Sequence, residues 1–261
     1  MADVHGLKER STAGWRTGFH NLLRTELKRW WSTRRWLLQT LMWIVIIDGL
    51  LGLIGVVSLM SAELDVGAAD IRQVFGLIAV LSAIGVTVLM QSVIINEKEN
   101  GVAGWILSKP VSRPAYILSK LLGHASGILV CVVWIPGLIA YLEFSLLYAG
   151  EWLPFLNYLG ALGLVSLEVL FYLCLTLMLG TIFTARGAVL AVPLALIFGQ
   201  QAMIGVVKAL IYVLPYTLST ASAGAVLYGE SIPFLFPVFA TGGWCVIFVG
   251  LALWRFQREE F

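Results

Sequence analysis

Apolar positions in this chain come in long unbroken blocks. They do not alternate as in a half-buried strand or recur at three-and-four spacing as on a soluble helix. Six blocks stand out, at about Leu37–Met60, Val74–Ile95, Leu121–Leu142, Tyr158–Phe183, Gly187–Val207 and Phe234–Trp254. A helix rises about 1.5 Å per residue, so roughly 20 apolar residues cross the hydrocarbon core of a bilayer. Each block therefore predicts one transmembrane helix. The fifth is the weakest, because it carries Pro193, Gln200 and Gln201, although Pro is tolerated where neighbours satisfy the freed backbone groups. Ahead of the first block the period changes. Leu23, Leu27, Trp30, Trp31 and Arg34 fall on one helical face, and Arg24, Lys28 and Arg35 on another. An apolar face with Trp opposite a cationic face predicts a helix lying in the membrane interface. The plainer alternative is a basic stretch that only sets topology.

The expected fold is an all-α membrane protein. An N-terminal segment, 1–36, carries the interfacial helix, and residues 37–261 form a six-helix transmembrane domain. Residues 208–233 are too interrupted to span and too apolar for a free loop, so they read as a re-entrant or interfacial outer segment, or a loop packed on the bundle.

Composition agrees with this pattern. Of 261 residues, 59% are hydrophobic and 12% are charged, against about 25% charged in a soluble domain. A secretory signal does not fit, since about 36 mostly polar residues precede the first block and that block is too long. Cys131, Cys174 and Cys245 lie inside apolar blocks without CxxC spacing, so neither a metal site nor a disulfide framework is expected. Fifteen of the 17 Lys and Arg residues fall on one side of the six blocks, and only Arg72 and Lys208 on the other. By the positive-inside rule both termini are cytoplasmic. The net charge of +2 is a sum of opposite local biases and gives no sign of a nucleic-acid partner.

The most informative segment is the second connection, Asn96 to Lys120. Glu97 and Glu99 close the second block, Gly101 and Gly104 interrupt the helix, and a short apolar piece with Trp105 follows. Pro110 and Pro114 disfavour helix in the residues before them, and Ser112 is a good N-cap for a helix that opens at Arg113-Pro114 and continues into the third span. The result is a short helix between two kinks, a shape that suits docking of another protein; the plainer reading is solvated charges and punctuation. The pattern of Glu97, Glu99, Gly101, Pro110, Val111, Ser112, Arg113 and Lys120 resembles the membrane subunit of type-two ABC exporters. It departs at Val102-Ala103, where that family commonly has Gly-Thr.

The resemblance implies a permease in the cell membrane that moves a substrate outward. It would pair with a second copy, as a homodimer, and with two copies of a cytoplasmic ABC ATPase subunit. Residues 96–114 would be the coupling loop, with Glu97, Glu99, Gly101, Trp105, Pro110, Ser112 and Arg113 receiving the ATPase. Removing Glu97 and Glu99 would then uncouple ATP hydrolysis while leaving the fold intact. The chain contains no GxxxxGK[ST] phosphate loop, so no cofactor is expected on it; ATP and Mg belong to the separate subunit.

Asp48 and Glu168 lie mid-block, with Gln200 in the fifth block. A carboxyl at the bilayer centre costs about 2.5–3.5 kcal/mol on insertion scales, so each faces a cavity, a partner or the bundle interior. They read either as pathway lining or as hydrogen-bonded structural carboxyls. An intramembrane enzyme is disfavoured by the absence of GxSxG or a protease-like acid pair. A self-contained channel or secondary transporter is disfavoured by the lack of a repeat between residues 37–142 and 158–254. A subunit passing ATP-driven motion to an outer partner remains an alternative within the family.

Overall fold

The computed structural model describes residues 14, 16–60, 68–148, 152–230 and 235–259. Lys8 and Arg10, two of the fifteen basic residues counted on one side, lie outside them. Among the described residues the chain is helical, with no strand. Helix α1 covers Phe19–Trp31 and α2 covers Arg35–Met60. Helices α3 (Ala68–Met90) and α4 (Val93–Glu99) are separated by a short turn, and α5 covers Val102–Leu107. Helix α6 (Arg113–Ile128) runs through a π-helical stretch, Leu129–Trp134, into α7 (Ile135–Glu143). Helices α8 (Phe155–Ile182) and α9 (Arg186–Val206) follow, then a 3-10 turn at Lys208–Tyr212, a π turn at Leu218–Ser222, α10 (Ala223–Leu227) and α11 (Leu235–Gln257).

Six of these segments are long and apolar enough to cross a membrane: Arg35–Val57, Phe75–Glu99, Arg113–Leu146, Phe155–Ile182, Arg186–Val206 and Leu235–Gln257. We number them as spans one to six. They fall on the six apolar blocks. The helix of span three opens at Arg113, as the Ser112 cap predicts, and runs on into the third apolar block roughly two turns later. Ser112 caps it by accepting from the Ala115 N–H at 3.2 Å, and Pro114 occupies the first turn, where its missing N–H costs nothing. Farther along, Pro136 follows the π-helical stretch. Its missing donor and bulky ring account for the relaxed ladder in the preceding turn.

Span four is the axis of the bundle: 78% of its apolar stretch is buried, against 17% for span six and 22% for span five. Spans one, five and six therefore turn large apolar side chains outward, among them Leu38, Val45, Phe198, Phe239 and Val246. In water such a surface would aggregate; against acyl chains it is matched. Around span four the core is aromatic. The Phe75 ring stacks on Phe144 at 5.3 Å, and Tyr158 meets Phe75 edge-on at 5.4 Å while donating to the Gly137 carbonyl at 2.5 Å.

The segment after span five packs back onto the bundle. The Asn157 amide donates to the Leu227 carbonyl at 3.4 Å, and Thr220 lies against Gly76 of span two. All described ends carrying Lys98, Arg113, Lys120, Arg186 and Arg255 gather at one face of the bundle, called here the basic face.

Candidate functional site

The loop at residues 96–114 projects from the basic face. Helix α4 ends at Glu99 with Asn100 as its cap, and Gly101 takes a left-handed φ of 68° that reverses the chain into α5. A Cβ there would crowd the following carbonyl, so this turn selects Gly. Helix α5 keeps Ala103 buried and Ile106 against the core, while Trp105 is 63% exposed and Val102 39% exposed. The Lys109 ammonium sits 4.0 Å over the Trp105 ring, holding the indole in place without covering it. Beside α5 lies a depression of about 270 Å³ lined by Gly104, Leu107, Ser108, Val111 and Arg113. Pro110 shapes the loop between them. A short helix with an exposed Trp next to a depression is a docking shape.

The charges flanking α5 do not point into solvent together; they fan out. Glu97 turns inward, with its side chain 13% exposed. It accepts from the Tyr116 hydroxyl at 2.5 Å, pairs with Lys120, and lies 3.5 Å from Arg29. Lys98 donates to the Thr181 carbonyl at the end of span four at 3.1 Å and pairs with Glu259 at 2.8 Å. Glu99 reaches Arg186 at the start of span five at 2.7 Å. On the other side of α5, Arg113 donates to the Phe256 carbonyl at 3.4 Å and to the Gln257 carbonyl, satisfying the last carbonyls of span six. The Tyr116 and Phe256 rings stack at 5.1 Å. Thus the three consecutive residues Glu97, Lys98 and Glu99, with Arg113, tie the loop to the ends of spans three to six.

These contacts differ in weight. Both partners of the Glu99–Arg186 pair are about half exposed, 51% and 53%, so water and salt screen it. Glu99→Gln is expected to change stability by less than about 0.5 kcal/mol; a shift of several degrees in the unfolding midpoint would contradict this. Glu97 is different. The expectation that both carboxylates can be removed without cost to the fold does not suit its buried place in an ion cluster.

The amphipathic N-terminal helix docks on the same cluster. Helix α1 lies across span three, and the face it turns inward is Leu22, Glu26 and Trp30 rather than the full Leu and Trp stripe. Glu26 is 6% exposed and accepts from Lys120 at 2.5 Å. Trp30 is 8% exposed and meets the His124 ring edge-on at 6.0 Å. Leu23 and Leu27 are half-buried, and Trp31 is exposed. Gly123 and Gly127, one turn apart on span three, make the approach possible. A Cβ on Gly123 would lie 2.5 Å from Glu26 Cβ, and one on Gly127 would overlap the Trp30 indole. Just before α1, Gly18 packs on Val111, and Thr17 accepts from the Ser112 N–H at 3.1 Å. Glu26, Lys98, Tyr116, His124 and Arg186 belong to this site but were not singled out from sequence. The one signal for the docking is the Gly123–Gly127 pair three residues beyond Lys120.

The polar residues inside the membrane separate into two groups. Asp48 of span one is 3% exposed and lies near Glu143 at the far end of span three, whose carboxylate would be 3.4 Å from a Cβ on Gly52. Glu168 of span four is 1% exposed and is hydrogen-bonded by Ser219 of the segment after span five. The neighbouring Tyr172 hydroxyl donates to Gln200 Oε1 at 3.3 Å. Asp48 thus sits beside Glu143, whereas Glu168 and Gln200 meet at Tyr172. The cysteines are free thiols, and no group of His, Cys, Asp and Glu among the described residues is arranged to hold a metal ion.

Comparison with known proteins bears on this arrangement. Residues 34–261 match the model of a family described as ABC-2 family transporter protein. The uncharacterized transmembrane protein YxlG of Bacillus subtilis (strain 168) is 28% identical over 174 residues, spanning 63% of this chain and 63% of that protein. With six apolar spans and most of its length inside the family match, the chain is a multi-pass membrane protein that belongs to the ABC-2 family of transporter proteins.

Proposed function

We propose that this chain is the membrane permease of an ATP-driven exporter, with the basic face cytoplasmic and α5 as the surface on which a separate ABC ATPase acts. Family membership implies association with an ABC ATPase in general. The observation that carries the assignment to α5 is its exposed Trp105 and Val102, on a helix flanked by residues bonded to the ends of spans three to six. A push on α5 is therefore a push on all four spans. Two ATPase copies would act on two copies of this chain in the cell membrane, and ATP and Mg would stay on the ATPase. Helix α1, with Trp31 outward and Arg24, Lys28 and Arg35 on its solvent side or just beyond it, would lie at the cytoplasmic membrane surface. Residues 208–233 would form the re-entrant outer segment, reaching Glu168 through Ser219.

The test is co-purification of the tagged full-length chain from its native membrane. Wild type is expected to carry a stoichiometric ATPase. Trp105→Glu replaces an aromatic anchor with a charge, so the affinity should fall at least about thirtyfold, the loss typical of an interface hot spot. As a surface change it should leave the unfolding midpoint near wild type. An unchanged ATPase yield with Trp105→Glu would remove α5 as the docking surface. No ATPase with the wild-type chain would favour a self-contained transporter.

A further inference from the structure

Two carboxyl groups meet inside the bundle, away from the basic face. Asp48 lies midway along span one and is 3% exposed. Glu143, near the far end of span three, reaches back over span one at Gly52, one turn beyond Asp48, and its charge acts on Asp48. Three observations bear on what this corner holds. First, it lacks a donor. Both carboxyl oxygens of Asp48, and Oε2 of Glu143, are buried and receive no hydrogen bond from another residue. Among the described residues, no Lys, Arg or His pairs with either group. Second, the nearby phenols are committed elsewhere. The Tyr158 hydroxyl of span four lies close enough to feel both carboxyls, yet it donates to the Gly137 carbonyl at 2.5 Å. Tyr141, whose ring meets that of Tyr158 at 5.1 Å, donates to the Leu153 carbonyl at 2.9 Å. Third, the corner is sealed. Those three carboxyl oxygens have no accessible surface, so neither water nor a metal ion can reach them.

Two ionised carboxyls side by side, with no water and no cation, are disfavoured both by desolvation and by mutual repulsion. A proton on one of them removes both costs. The acid supplies the missing O–H donor, and the other carboxyl accepts it. We propose that Asp48 and Glu143 form a proton-binding site that holds one proton between spans one and three, and that releasing it loosens this contact. The two groups titrate as a unit, so the proton belongs to the pair rather than to either residue. Glu143 is only half-buried, which makes it the route by which the proton exchanges with water. The contact matters most to span one, of whose apolar stretch only 33% is buried, against 78% for span four. This site does not depend on an ATPase and stands apart from the function proposed above. In the unfolded chain both groups meet water and are ionised above about pH 5. The folded chain then binds one proton more than the unfolded chain. Stability therefore falls as the pH rises, by up to about tenfold in the unfolding equilibrium per pH unit, until the folded pair has released its proton.

The experiment follows the unfolding midpoint of the full-length chain in detergent between about pH 5 and 9, where free carboxyls are ionised. Asp48→Asn and Glu143→Gln each replace an acid by an amide of the same shape that brings its own N–H donor. Each should flatten the fall of the midpoint toward alkaline pH and be at least as stable as wild type at that end. Other groups add to the pH dependence in all three proteins, so the difference between wild type and variant is the reading. Infrared spectroscopy of the same samples at neutral pH supplies a second one. Wild type should show the carbonyl stretch of a protonated carboxyl, shifted in heavy water, and each variant should lose the share that belongs to the pair. Any contribution from Glu168 cancels in that difference. In wild type alone, the same share should disappear as the pH is raised, a reading that requires no variant to fold. A wild-type slope kept in both variants, with both less stable at every pH, would make the two groups ionised structural partners and overturn the site. A protonated-carboxyl band that is absent from wild type, or equal in wild type and both variants, would overturn it as well.

Discussion

Lys120→Met is expected to destabilise the chain by about 3–5 kcal/mol, the loss found when one partner of a buried ion pair is removed. The Lys120 side chain is 3% exposed and is shared by Glu26 of α1 and Glu97 at the end of span two. Without the ammonium, two carboxylates face each other in a poorly hydrated pocket, and each loses its main compensating charge. Arg29 cannot replace it. Its side chain is half exposed and lies 3.5 Å from Glu97, on the solvent side of the cluster. Substituting all three residues together, as Lys120→Met, Glu26→Gln and Glu97→Gln, should recover most of the loss, because no unpaired charge remains. The measurement is the unfolding midpoint of the purified chain in detergent, together with its monodispersity. A single Lys120→Met chain as stable as wild type would mean that the cluster is not holding α1 and spans two and three together. A triple variant no better than the single one would place the effect in packing of the lysine stem instead.

The cluster also shows where reading by sequence succeeds and where it stops. The six spans were legible because crossing a bilayer needs a run of apolar residues of fixed length, a local property of the chain. The caps around α5 were legible for the same reason: Gly101, Pro110 and Ser112 act on the backbone within a few residues of themselves. The Ser112 cap marks the start of span three at Arg113, but not what compensates its charges: Lys120 and Arg113 look like loop residues when charge is assumed to need water. In the folded chain Lys120 is neutralised by residues on two other helices, and Arg113 by the end of span six. The inward face of α1 was misjudged by the same assumption. Glu26 on an amphipathic helix ordinarily faces water, and its partner lies 94 residues away. Local periodicity identifies a helix; only the facing surface decides which stripe is buried. Glu97 and Glu99, two residues apart in sequence and alike in chemistry, have different roles for this reason. Glu97 is a structural ion-pair partner, whereas Glu99 is a half-exposed tether to span five.

Gly127→Ala should detach α1 from span three. A methyl at that position would fall on the middle of the Trp30 indole rather than on a flexible tip, and His124 closes the ring's other approach. The indole cannot swing aside without leaving the notch, so the helix must move. Overpacking of this kind costs about 1–3 kcal/mol. The total should be higher, because moving α1 also draws Glu26 away from Lys120. The change should show as faster tryptic cleavage at Lys28 and Arg29, since protease needs the helix to open locally. Trp30→Leu in the Gly127→Ala background removes the colliding ring and should restore protection; a loss of stability unrelated to the collision would not be rescued. Wild-type cleavage rates in Gly127→Ala would show that the close approach of Trp30 to span three is not needed to dock α1. If cleavage accelerates while the ATPase still co-purifies, docking on α5 is independent of α1. If the ATPase is lost as well, α1 supports the coupling surface through Thr17 and Gly18, which contact the loop at Ser112 and Val111.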